Sequence, residues 1–244
     1  MKILDIDSPL ILFLGKMADM MWLTILTMIC CIPIITVGPS LTALHYVALK
    51  MVRNEDGYIT RSFFKAFKEN FRQATIIWLI FLVIFVFLFV DYRIIMTAGT
   101  EINLIVQLLL LVIAIFAVFT FMYVWPLLAK FDNTIKRTII NAFAISGFQF
   151  FKSLLMLFIN LMPFLLWYFV QPQIPNIFPV LFVFWFSAPA YFSAKIYDKF
   201  FRTMEEKILE QQEAVQEDET VEEEDVRIFK DEAEETLDFG QNDQ

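Results

Sequence analysis

The side chains that could do chemistry are few in this sequence, and their spacing works against them. His45 is the one histidine in 244 residues, so neither an acid–base triad nor a histidine metal cluster can be assembled within one chain. Its expected role is that of an ordinary hydrogen-bonded side chain facing the membrane interface beside Tyr46. Cys30 and Cys31 are adjacent in an apolar run, point to different faces of a helix, and are read as free thiols packing as small apolar groups. Asp91 and Glu101 are the only candidate carboxylate pair on the outer loop. No glycine-rich phosphate loop and no nucleophile elbow occurs. The expectation is a protein without catalytic residues, metal or cofactor, and without a nucleic-acid partner.

The elements that carry these residues are set by composition. Hydrophobic residues make up 59% of the chain, 29 of them Phe, against about 45–50% in soluble domains. A bilayer core about 30 Å thick takes about 20 helical residues to cross. Five charge-free stretches approach that length: 20–37, 74–90, 102–128, 153–170 and 177–194. The last two are separated by Gln171-Pro172-Gln173-Ile174-Pro175-Asn176, where two prolines forbid a continuing helix and leave a tight turn. The fold class is therefore an all-α integral membrane protein with five transmembrane helices and amphipathic interfacial helices in its cytoplasmic loops. The spans contain no Asp, Glu, Lys, Arg or His at mid-depth, which disfavours a self-sufficient proton-coupled carrier. Their polar equipment is Thr24, Thr27, Gln107, Thr120, Asn160, Ser187 and Ser193. Such groups are expected to hold helices together rather than line a path, and Pro163 is a point where the fourth span could kink.

Basic residues set the sidedness, because cytoplasmic loops retain them. The first loop has six (Lys50, Arg53, Arg61, Lys65, Lys68, Arg72), the second only Arg93, the third four and the fourth none. This alternation puts the N-terminus outside and the C-terminus in the cytoplasm of a multi-pass plasma-membrane protein. Residues 1–19 open a helix, with Ser8 as cap and Pro9 in its first turn, and Lys16 and Asp19 one turn apart can pair. The acids of MKILDID argue against a cleaved secretory signal. Gly38 is expected to end the first span and Pro39 to open an interfacial helix over 39–53, stopped by the turn Asn54-Glu55-Asp56-Gly57. A second interfacial helix over 58–73 carries Phe63, Phe64, Phe67 and Phe71 on one side. Arg61, Lys65, Lys68 and Arg72 lie on another, where anionic lipid headgroups would be met.

A fainter copy of this arrangement follows Trp125-Pro126, with a helix over 133–150, and a third begins at Ala188-Pro189-Ala190-Tyr191. Gene duplication would produce such a series; so would the common placement of proline at helix ends. Residues 195–216 extend the last span into the cytoplasm, and 217–244 read as an acidic, disordered tail. From residue 205 onward there are 17 acids against Lys207, Arg227 and Lys230, so the membrane part is net basic although the whole chain is at −8. VRIFKDE and TLDF are apolar islands within that acid, a form that can fold on a partner.

One stretch carries a family likeness. Thr36, Gly38, Pro39, Ala43, Tyr46, Lys50, Arg53, Gly57, Tyr58, Phe63, Phe64, Phe67, Lys68, Asn70, Phe71 and Gln73 form a pattern that resembles the YesL family of bacterial membrane proteins, with a looser likeness to about Lys207. The resemblance implies a multispan protein of uncharacterised activity, typical of Gram-positive bacteria and often encoded beside carbohydrate uptake genes. It brings no catalytic residues, and the acidic tail lies outside it. The expected function is a non-catalytic accessory or regulator of a carbohydrate uptake system, in contact with a permease. The competing expectation is a small carrier or channel for a neutral solute, working as a homo-oligomer because five spans enclose little space alone.

Overall fold

A computed structural model describes residues 9–55, 57–97, 104–170, 174 and 182–239. Among them every regular element is helical: α1 (Pro9–Cys31), a single 3-10 turn (Ile34–Thr36), α2 (Val37–Arg53), α3 (Ile59–Glu69), α4 (Phe71–Thr97), α5 (Leu104–Lys130), α6 (Ile135–Phe148), α7 (Phe150–Val170) and α8 (Ser187–Phe239). Five of these stretches are long and apolar enough to cross a membrane: Leu10–Cys31, Ile34–Arg53, Phe71–Ile95, Leu104–Lys130 and Phe150–Val170. The protein is an all-α membrane protein.

The count of five agrees with the sequence, but the set differs in one member. Three helices match expected spans; Leu10–Cys31 overlaps the expected 20–37 only over 20–31, because α1 starts at Pro9 and stops at Cys31, and the remaining stretch contains α2, expected as a surface helix over 39–53. The expected span 177–194 lies outside the described residues as far as 181, and its helix starts at Ser187. The turn at 171–176 lies outside them except for Ile174, and the cap at Ser8 and the residue Glu101 lie outside them altogether.

α2 is the centre of the packing. It lies against α1, α3, α4 and α5, and none of its residues is exposed. A helix lying on the headgroup plane keeps a polar face in water; α2 keeps only the half-exposed strip Tyr46, Lys50 and Arg53, so the helix expected over 39–53 is largely enclosed by its neighbours. Its apolar positions Leu44, Val47, Ala48 and Met51 are buried, and Thr42 and His45 are buried with them. The periodicity was that of a core helix whose remaining faces are covered by neighbours, a circumstance that spacing along one helix does not reveal.

The chain break also falls earlier than Gly38. α1 stops at Cys31, and Pro33 precedes the 3-10 turn. The Thr36 hydroxyl lies 2.6 Å from the Cys30 carbonyl, in the last turn of α1 where carbonyls lack helical amide partners, and 2.8 Å from that of Pro33, which also accepts the Thr36 amide at 3.1 Å. Pro39 is the third residue of α2, still within the first turn where a missing amide costs nothing. Ser187-Ala188-Pro189 opens α8 with the same spacing.

Two successive units share a plan. α3 is joined to α4 through the single residue Asn70, and α6 to α7 through Gln149. In the first, Asn70 donates its amide to the Ala66 carbonyl and accepts from Ala74; in the second, Gln149 donates to Ile145 and accepts from Ser153. The helix expected over 58–73 is therefore two helices, and Arg72 belongs to α4 rather than to the row of Arg61, Lys65 and Lys68. An aromatic cluster closes α4 on α5, with Trp78, Phe81 and Phe85 against Phe121 at 6.0, 5.4 and 5.4 Å between ring centres.

The chain divides into two compact units, residues 1–196 and 197–244. α8 begins in the first and continues to Phe239. The disorder expected from residue 217 is thus replaced by helix up to Phe239. Glu is a good helix former, and the composition signal for disorder reads charge and low hydrophobicity without reading that propensity.

Candidate interfacial site

The residues singled out in the sequence fall between the middle of α1 and the start of α4, and most of them build the fold. Gly38 lies where α2 crosses α4: a Cβ there would meet the Ala74 carbonyl oxygen and lie 2.8 Å from the Trp78 Cβ. Glycine is required by close approach of two backbones, not by an unusual dihedral. Ala43 and Phe63 are fully buried. Lys50 places its ammonium 5.1 Å from the centre of the Tyr46 ring, one turn back along α2, a cation–π contact. Arg53 is the last residue of α2.

Asn54 ends α2 in the left-handed region at φ 54°, ψ 33°, a conformation that asparagine tolerates better than most residues. Its Oδ1 accepts a hydrogen bond of 2.7 Å from Lys16 Nζ. Lys16 is one turn from Asp19 and within reach of it by spacing; the structure sends the ammonium to the loop after α2. Trp22 Nε1 donates to Thr60 Oγ1 at 2.8 Å, so two bonds fasten the middle of α1 to the α2–α3 connection.

α3 splits its aromatic residues. Phe63 and Ala66 face the core and are fully buried, while Phe64 is exposed; adjacent helical residues lie about 100° apart and cannot share one side. Phe67 stacks near Phe63 at 6.2 Å and meets Phe71 at 5.6 Å. Asn70 turns its Nδ2 onto the Ala66 carbonyl at 3.0 Å, and Gln73 Nε2 reaches the Asn133 carbonyl at 3.0 Å, linking the two units. Lys65 lies 4.0 Å from Glu69, both exposed.

Outside the core, Arg61, Lys65 and Lys68 converge on an open cavity of about 750 Å³ between α1 and α3. Asp19 and Trp22 of α1, the preceding Gly57 and Tyr58, and Ile59, Thr60 and Phe64 of α3 complete its lining. Arg72 is not part of it. Sequence spacing showed the cationic row but not Asp19 and Trp22, which come from a helix some 40 residues earlier and are brought over by the Trp22–Thr60 and Lys16–Asn54 bonds.

The other polar candidates are structural. Thr24 Oγ1 and Ser187 Oγ are 2.8 Å apart and buried, tying α1 to α8, and Asn160 Nδ2 donates to Ser193 Oγ at 3.1 Å, tying α7 to α8. Thr27 and Thr120 donate to carbonyls of their own helices. His45 is buried rather than at the interface, and α7 runs helically through Pro163. Asp91 and Gln107 line a cavity of about 290 Å³ between α4 and α5. Among the described residues no group of three His, Cys, Asp or Glu could hold a metal ion.

A family model described as a protein of unknown function, DUF624, matches residues 17–92. The match runs from mid-α1 to near the end of α4 and contains the α1–α3 cavity and the Gly38 crossing. No curated protein and no solved structure matches the chain.

Proposed function

We propose that this chain is a non-catalytic, multi-pass protein of a bacterial plasma membrane that acts as an accessory or regulator of a carbohydrate uptake system, with its N-terminus outside and its C-terminus in the cytoplasm. The observation that carries the non-catalytic, non-conducting part is how the intramembrane polar groups are used. Thr24, Ser187, Asn160 and Ser193 bond helix to helix, and Thr27 and Thr120 bond their own backbones, so these hydroxyl and amide groups serve cohesion. The outer halves of α4, α5 and α7 present large apolar side chains such as Phe87, Leu109 and Phe164, surface suited to lipid or to another membrane protein. The choice of uptake system rests on the resemblance to the YesL family, whose pattern residues lie inside the stretch matched by the family of unknown function. We take membership of the YesL family as part of the proposal.

The test is what accompanies a tagged chain gently solubilised from its own cells, with and without the segment after Gln212. A stoichiometric permease subunit supports the reading, and its loss on truncation assigns the contact to the acidic segment. Recovery of a monodisperse homo-oligomer alone sinks it. In that event the cavity holding Asp91 and Gln107 favours the second reading, an oligomeric carrier for a neutral solute, which flux into proteoliposomes decides.

A further inference from the structure

We infer that the cavity between α1 and α3 is a binding site for one anionic glycerophospholipid whose headgroup carries free hydroxyls, of the phosphatidylglycerol type. Three cations, Arg61, Lys65 and Lys68, line it on one wall, and a single carboxylate, Asp19, lines it on the other. The excess of positive charge suits a phosphate diester, and guanidinium and ammonium donors are the groups that hold phosphate oxygens. A carboxylate is an acceptor only and repels the phosphate; its useful partner in an anionic headgroup is a hydroxyl. The glycerol end of the headgroup supplies two.

The site is formed before any ligand arrives. Trp22 is fixed by its bond to Thr60, so the indole wall and the start of α3 are held together. Phe63 and Ala66, fully buried on the opposite face of α3, lock the rotation of the helix that aims Arg61, Lys65 and Lys68 outward.

What selects a lipid over a soluble phosphate is the surface that leaves the cavity. Along α1, Trp22, Ile25 and Ile29 follow at spacings of three and four and are 47%, 40% and 58% exposed, an apolar stripe one helix face wide. Trp22 and the exposed Tyr58 flank the charged end, and Trp and Tyr favour the headgroup level of a bilayer. A headgroup in the cavity thus has an apolar track on which to lay an acyl chain. A smear of cations would hold any anionic surface, whereas this arrangement asks for charge, hydroxyls and an acyl chain together.

The experiment uses the full chain purified in mild detergent, with lipid retention read by native mass spectrometry against phosphatidylglycerol, phosphatidic acid and phosphatidylcholine. One phosphatidylglycerol should be held in preference to phosphatidylcholine. K65Q and K68Q should each weaken retention about fivefold, the ratio that corresponds to about 1 kcal/mol per cation near the surface. R72Q, a cation outside the cavity, should leave it unchanged. D19N should reduce the preference for phosphatidylglycerol over phosphatidic acid, which lacks the hydroxyls, while retention of phosphatidic acid holds or rises. Unchanged thermal midpoints identify variants whose fold is intact, and K65Q and K68Q, at exposed positions, are the ones to rely on if D19N fails to fold. Equal loss with R72Q and K68Q would mean diffuse surface charge and overturn the site. Release of the lipid by millimolar inorganic phosphate or glycerol phosphate, with either binding alone, would overturn the lipid in favour of a soluble phosphate. Each result is independent of any permease, so it stands or falls apart from the accessory reading.

Discussion

Gly38 shows how a single hydrogen in place of a methyl group sets a helix crossing. Its added Cβ would strike the backbone carbonyl of Ala74, which cannot swing away as a side chain can. Gly38→Ala should therefore lower stability by about 1–3 kcal/mol, the range for overpacking a close contact, and Gly38→Val by more. The thermal midpoint in detergent measures it. Gly15, where an added Cβ meets nothing within 4 Å, is the matched control, and Gly15→Ala should be neutral or stabilising. Asn54 makes a second residue-scale case. Asn54→Ala loses the acceptor for Lys16 and keeps a left-handed backbone that costs an L-residue about 1–2 kcal/mol. Asn54→Gly restores the backbone but not the bond, so it should fall between the wild type and Asn54→Ala in the same assay. Both positions were visible in the sequence as punctuation. Asn54 stops the helix, as the turn Asn54-Glu55-Asp56-Gly57 implies. Gly38 looks like a stop as well, because glycine before proline signals a break, and a demand for space by a helix 36 residues further on leaves no mark beside it.

At the scale of elements, helix existence was legible and helix environment was not. The expected spans 74–90 and 153–170 lie inside α4 and α7, and 102–128 lies inside α5 from Leu104 onward, since long charge-free runs admit little else. The surface expectation for α2 follows from Thr42, His45, Lys50 and Arg53 falling away from its apolar row, whereas Ser40 and Thr42 turn their hydroxyls back onto the carbonyls of Thr36 and Gly38. Back-bonded hydroxyls carry little polarity to a helix surface, so a helix that looks amphipathic on paper can be enclosed. Where hydroxyls do reach across, they couple elements. Thr24→Val and Ser187→Ala should each destabilise modestly, and the double variant should cost less than their sum. The coupling should be about 0.6 kcal/mol, the average for interhelical hydrogen bonds in a membrane protein. A double-mutant cycle on thermal or denaturant unfolding measures it, and strict additivity would show that the 2.8 Å contact contributes nothing to holding α8 on α1.

For the whole molecule the open quantity is which helices cross the bilayer. From the distribution of Lys and Arg, the loop with six basic residues is expected in the cytoplasm and the one with Arg93 alone outside. The enclosed position of α2 introduces a competitor, because Ile34–Arg53 is itself long and apolar enough to span. If α2 crosses as well as α1, the N-terminus and α3 share one side. If only α1 crosses, they lie on opposite sides. Single cysteines in a Cys30→Ala, Cys31→Ala background, probed in intact cells with a membrane-impermeant maleimide, separate the two. From the basic residues, Leu10→Cys and Thr97→Cys should label from outside, and Glu69→Cys and Gln212→Cys only after the membrane is opened. Glu69 and Thr97 flank α4 and must disagree in either case, which makes them the internal check. Leu10→Cys is the deciding reporter. Labelling from outside with Glu69→Cys protected would put Lys16 and Asn54 towards opposite faces of the bilayer, which their 2.7 Å hydrogen bond does not allow, and would overturn the packing of α1 on α2. Protection together with Glu69→Cys makes α1 and α2 a membrane hairpin fastened at its open end by Lys16 to Asn54 and Trp22 to Thr60. The cavity of Arg61, Lys65 and Lys68 would then still sit beside the headgroups, on the side shared with the N-terminus.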